Sequence, residues 1–210
     1  MPDSELHTAL ERGLERMQIE VTDDQSRALV DYVELLVKWN RVINLTAVRD
    51  PQQMISRHIL DSLSVHEYVE CDSLIDVGAG AGLPGIPLAI LKPHMNVTLI
   101  DSVAKKTRFI QQAVTQLGLA NATALHSRVE SVSQQADLVI ARAFAAPDKL
   151  AALARHLLPG GGHLLAMVGQ MPNRDFLENI SGFSLIRTAK LTIPDETAER
   201  NIVILQRDLP

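Results

Sequence analysis

Three glycines at alternate positions, Gly78, Gly80 and Gly82, followed by Gly85, constrain this chain more than any other feature. The apolar run Leu74-Ile75-Asp76-Val77 precedes them, and an apolar segment of helical character follows. This order reads as a strand, a tight turn and a helix start. It is the arrangement by which α/β proteins bring backbone N–H groups close to a nucleotide-like ligand. Glycine is needed there because the turn demands positive φ and any Cβ would hold the ligand away.

The loop reads two ways. Gly80-x-Gly82-x-x-Gly85 satisfies the dinucleotide fingerprint, which on its own is a weak signal. Gly78-x-Gly80-x-Gly82 behind Asp76 is the S-adenosylmethionine (AdoMet) version. Asp76 favours the second, because a pyrophosphate over this turn would be repelled by the adjacent carboxylate. AdoMet presents an ammonium and a sulfonium instead, and both welcome an acid. A second acid, Asp101, ends the apolar run Val97-Thr98-Leu99-Ile100, about where a cofactor ribose lies in a βαβ unit. NAD and AdoMet share that ribose. The plain alternative is that Asp101 only caps the next helix, a task Ser102 could also perform.

With 210 residues and 46% hydrophobic content, the chain can bury one substantial core, with room for a small appendage. No apolar run approaches the ~18 residues of a membrane span, and the polar stretch Met1 to Glu15 does not read as a signal peptide. A single cysteine, Cys71, excludes an intramolecular disulfide and any multi-cysteine metal site. The seven histidines show no ligand spacing, so no metal is expected. These features predict a cytoplasmic protein without membrane contact. A net charge of −5 argues against a general nucleic-acid coat protein, though not against a specific RNA enzyme.

Two regions are predicted. From Met1 to Glu70 the pattern is helical. Thr22-x-x-Gln25 is a capping box, and Leu29, Val33, Leu36 and Trp39 form a stripe at helical spacing. Asp50-Pro51-Gln52-Gln53 starts another helix, and Trp39 to Thr46 between them shows no clear period. From Asp72 onward strand-like runs alternate with helical ones. Strands are expected at 97–101, 122–126, 137–141 and 163–168, and helices near 103–117 and 149–157. Two final runs, 184–193 and 201–206, resemble a hairpin. The alternation implies a mostly parallel, doubly wound sheet with an antiparallel edge.

Five ordered motifs carry a resemblance. They are Trp39-Asn40-x-x-Ile43-Asn44-Leu45-Thr46-x-x-x-Asp50, Arg57-His58-Ile59-Leu60-Asp61-Ser62, the glycine loop through Pro87, Ser127-Arg128-Val129-Glu130, and Arg142-Ala143-Phe144. From about Val21 to Gln206 the chain resembles the bacterial small-subunit ribosomal RNA methyltransferase G family, also called glucose-inhibited division protein B. The resemblance implies a Rossmann-like class I AdoMet-dependent methyltransferase domain over 71–210 and a helical extension over 1–70. It implies methyl transfer to N7 of one guanine in the 530 loop of 16S rRNA, on naked RNA or the 30S subunit. Carried over by position, Asp76, Gly78, Gly80, Gly82 and Leu83 would lie about the methionine part of the cofactor. Asp101 and Ser102 would lie near the ribose, Val129 and Glu130 beside the adenine, and Arg142 at the mouth of the site. Many relatives carry Lys-Gly where this chain has Val168-Gly169.

The chemistry implied asks little of the side chains. Guanine N7 attacks with a lone pair and loses no proton, so no general base is expected, and catalysis rests on orientation. The Asn/Asp-Pro-Pro-aromatic tetrapeptide of amino-methylating relatives is absent. N7 lies in the deep major groove of A-form RNA, so the target must sit in a loop or be extruded. Phe144 is a candidate stacking surface, although a lone Phe after a strand is more often core. Lys105, Lys106 and Arg108 at a helix start oppose the macrodipole and are candidates for RNA phosphate. Arg41, Arg49, Arg57 and His58 form a second candidate patch, with Arg57 and Asp61 spaced as i,i+4 partners. A monomer is the default. The rival readings are a small NAD-dependent oxidoreductase, a small-molecule methyltransferase and a non-catalytic AdoMet-binding or ribosome-assembly module that binds RNA without turnover.

Overall fold

The structure is a computed structural model and describes residues 2–209. Helices α1 (Pro2–Met17) and α2 (Asp23–Ile43) open the chain. Thr22 caps α2 reciprocally with Gln25, as the capping box predicts. The helix runs on through the period-free segment to Ile43, and Asn44 closes it at φ 50°. Asp50 caps α3 (Pro51–Met54), which passes into a π-helical turn over Ile55–Leu60 and then into α4 (Asp61–Leu63).

The sheet follows. Its elements are β1 (Ser73–Val77), α5 (Gly85–Leu91), β2 (Asn96–Asp101), α6 (Ala104–Gln116), β3 (Ala122–His126), β4 (Leu138–Arg142) and α7 (Pro147–Ala154). Then come β5 (His163–Val168), α8 (Arg174–Glu178), β6 (Phe183–Leu191) and β7 (Arg200–Arg207). Strand order is β3-β2-β1-β4-β5-β7-β6, with β7 antiparallel to both neighbours. The expected hairpin therefore forms, but its second strand inserts next to β5 and its first becomes the edge. Order reverses between β1 and β4, the switch point where ligands bind at the carboxyl ends of strands.

Strand alternation sorts side chains into two layers. Leu74, Leu99, Ile140, Met167 and Ile204 face α2, α5 and α6, in one hydrophobic cluster that also holds Leu10, Leu29 and Leu36 of the N-terminal helices. Ile75, Val77, Val139, Ala166 and Val203 face α7 on the other side. The extension and one sheet face thus share a core. Two aromatic contacts fix α2 across α6: Trp39 meets the Phe109 ring edge-on at 5.7 Å, and Tyr32 lies 6.3 Å from it.

Candidate active site

The glycine loop joins β1 to α5 with Gly78, Gly80 and Gly82 at φ 69°, 62° and 83°. Most of its N–H groups point inward. Gly78 and Ala79 donate to the Ile100 carbonyl, Gly82 and Leu83 to that of Ala79, and Gly80 to Asp101 Oδ2 at 2.9 Å. A pyrophosphate cradle needs such groups aimed at the ligand. Here one of them is already turned to a carboxylate, which suits a cofactor without phosphate. From beneath, the buried Tyr32 hydroxyl of α2 donates to the Ala81 carbonyl, so the extension holds the loop. Burial pushes the Tyr32 phenol well above its ordinary range, which keeps it a donor.

A cavity of about 830 Å³ opens over this loop at the ends of β1, β4 and β5. Four cationic side chains line it, Arg57, Lys106, Arg142 and Arg200, against one lining carboxylate, Asp61. Asp61 is buried and accepts from Arg142 Nη1 at 2.7 Å and from Arg200 Nε at 3.1 Å. Arg142 Nη1 also donates to the Arg57 carbonyl at 3.1 Å, beside His58 Nδ1 at 2.9 Å on the same oxygen. A carbonyl only accepts, so Nδ1 carries the proton, and His58 Nε2 accepts from the Thr46 hydroxyl at 2.9 Å.

The profile of the rRNA small subunit methyltransferase G family (GidB) matches residues 25–203. The chain belongs to that family. The ribosomal RNA small subunit methyltransferase G of Alteromonas mediterranea is 44% identical over 205 residues, 97% of each chain. The protein of the same name from Psychromonas ingrahamii is 44% identical over 200 residues, 94% of this chain and 97% of its own. Among solved structures, magnesium protoporphyrin IX methyltransferase from Synechocystis PCC 6803 with bound SAM is similar at TM-score 0.61 and 19% identity, over 90% of this chain and 99% of that one. That likeness shows the class I AdoMet-dependent methyltransferase fold.

Four of the five motifs converge on the cavity, all but Ser127-Arg128-Val129-Glu130. Gly78, Gly80 and Leu83 line it beside Arg142, Phe144 and Val168. AdoMet fits this wall. A Cβ on Gly80 would meet only the Gly78 carbonyl, at 3.8 Å, so the backbone there faces open space. The volume lies in the ~300–1,000 Å³ range of cofactor sites. Asp101 does not line the cavity; it is buried behind Gly80, with Oδ1 accepting from Val103 N–H and Lys106 Nζ 4.0 Å from Oδ2. It therefore caps the approach to α6 and braces the loop at once, while Ser102 is exposed and plays no cap. Val129 is buried and Glu130 exposed in a 3-10 turn, and neither they nor Ser102 line the cavity.

Several placements differ from the sequence reading. Asp76 does not reach the cavity. Sharing the face of Leu74, it is fully buried, and Oδ2 accepts from Gly85 N–H at 2.8 Å. Oδ1 has no protein partner, and burial lifts the carboxyl from 3.8 to about 7. Its link to the loop runs through Gly85. His58 lines the cavity but is otherwise buried, and burial and then Arg142 lower it from 6.5 to about 4, leaving it neutral rather than a cation for phosphate. Arg57 does not pair with Asp61, because the π turn shifts the register. Its Nε donates to Glu196 Oε1 at 3.0 Å. The lysine cluster divides: Lys106 faces the cavity, whereas Lys105 and Arg108 are exposed on α6. Phe144 is not core but 41% exposed, lying against Gly78. Sequence reasoning passed over Tyr32, Thr46 and Arg200. Arg200 had no local signal, since its partner Asp61 lies 139 residues away.

Proposed function

We propose that this chain transfers a methyl group from AdoMet to N7 of a guanine in the 530 loop of 16S rRNA, in the cytoplasm. The supporting observation is the engagement of the carboxylate and the imidazole in the cavity wall. Asp61 has both oxygens on arginines, and His58 has both nitrogens on Thr46 and Arg57. Such a wall suits a nucleophile that gives up no proton.

When bound, AdoMet supplies a methyl carbon activated by the sulfonium. Gly78, Gly80 and Leu83 would lie against its methionine part, Asp101 and Ser102 about the ribose, and Val129 and Glu130 about the base. Arg142 and Arg200 keep N–H groups that make no bond among the described residues, Nε and Nη2 of the first and Nη2 of the second. These donors can hold a phosphate or the guanine edge. Exposed Phe144 offers a ring face to an extruded base. Holding N7, methyl and sulfur in line is where the barrier falls, since orientation contributes about 7–11 kcal/mol.

The test uses radiolabelled AdoMet with 16S rRNA, as free transcript and as 30S subunits lacking the modification. Borohydride and aniline then cut the strand at 7-methylguanine. One cut in the 530 loop is expected, and the substrate that works tells the stage of action. Labelled RNA without that cut overturns the N7 assignment. No label, with AdoMet bound, turns the reading to a small-molecule substrate or a non-catalytic module.

A further inference from the structure

We infer that Asp61 is a positioning residue for methyl transfer, setting the guanidinium groups of Arg142 and Arg200 relative to each other. The inference rests on the RNA methyl-transfer reading above. Arg142 ends β4 and Arg200 begins β7, and these strands are not neighbours, because β5 pairs with each of them. The sheet register therefore does not bring the two side chains together. Asp61, from the extension, is their shared side-chain partner, with Oδ2 on Arg142 Nη1 at 2.7 Å and Oδ1 on Arg200 Nε at 3.1 Å.

The carboxylate is 3% exposed, so its charge acts with little solvent screening. The triad has two cations and one anion, and its surplus positive charge faces the cavity. Two backbone carbonyls complete the frame. Arg57, at the π turn, accepts from Arg142, and Glu199 accepts from Arg200 Nη1 at 2.9 Å. Without Asp61, two like charges on long side chains would separate.

Positioning and plain electrostatics move the measurements in opposite directions. Asp61→Asn removes a negative charge from the cavity wall, so RNA affinity should hold or rise and its salt dependence steepen. Turnover should fall on the order of 100-fold, the scale set by a misplacement of about 1 Å. AdoMet affinity should stay within about two-fold, because Asp61 does not touch the glycine loop. Asp61→Glu is the second variant. It keeps the charge but moves the carboxylate by one methylene, and should preserve wild-type RNA affinity while kcat drops about ten-fold.

The measurements are kcat and KM on the 16S substrate, RNA binding at several salt concentrations, and melting temperature. Either variant turning over within about three-fold of wild type, while wild type labels the RNA, overturns this inference alone. Weaker RNA binding with unchanged kcat makes Asp61 a purely structural ion-pair residue and also overturns it. A wild-type protein that leaves the RNA unlabelled removes the underlying reading as well.

Discussion

Two buried ionisable side chains near the site pull the pH dependence of stability in opposite directions. Asp76 sits near 7 when folded, against 3.8 ordinarily, chiefly because burial disfavours its charge, with the Gly85 N–H and Arg142 opposing. Through that interval the folded chain holds the extra proton, so stability falls as pH rises from about 4 to about 7. His58 is the reverse. Burial and then Arg142 hold it at about 4, below 6.5, so its contribution is complete above about 6.5 and is lost as pH falls towards 4. Asp76→Asn keeps an oxygen for Gly85 and removes the first titration. The melting temperature of the variant minus that of wild type should therefore grow between about pH 5 and about pH 8. A constant difference would show that Asp76 does not titrate there. The acid before the loop was legible in the sequence as a site signal, but its direction was not, since both faces of β1 are apolar and buried. The burial of His58 was not, because nothing in Arg57-His58-Ile59-Leu60-Asp61 announces a π turn.

Elements with long or alternating patterns could be read closely. β3 and β5 fall on the expected residues, and the helix after β2 on all but its ends. α2 outran its reading because Val42 in its last turn is 77% exposed and breaks the apolar stripe. α8 has only five residues, too few to show a period, and the insertion of β7 beside β5 has no local signature. The start of α2 carries a prediction. Thr22→Ala removes the acceptor for Gln25 N–H, now at 3.2 Å, and should lower stability by about 1 kcal/mol. Urea denaturation measures this, and a change below about 0.3 kcal/mol would mean the capping box is not formed in solution.

At the scale of the molecule, a net charge of −5 coexists with a cavity wall rich in arginine. RNA must then be drawn by local patches rather than by the total. Lys105 and Arg108 are the exposed cations nearest that wall on α6, and neither lines the cavity. Reversing both to Glu should weaken RNA binding across sequences and flatten its salt slope while leaving AdoMet affinity unchanged. An unaltered slope would take α6 out of the RNA interface.

The shared core also dictates an order of events during synthesis. α1 and α2 leave the ribosome before the sheet, yet Tyr32 of α2 meets Phe109 of α6 and the Ala81 carbonyl, which come later. Asp61 waits longer still, for partners 81 and 139 residues downstream. A nascent chain therefore holds part of the apolar face of α2 uncovered until the sheet and its helices follow. A chain cut short before β7 would carry a complete glycine loop and an unfinished catalytic wall.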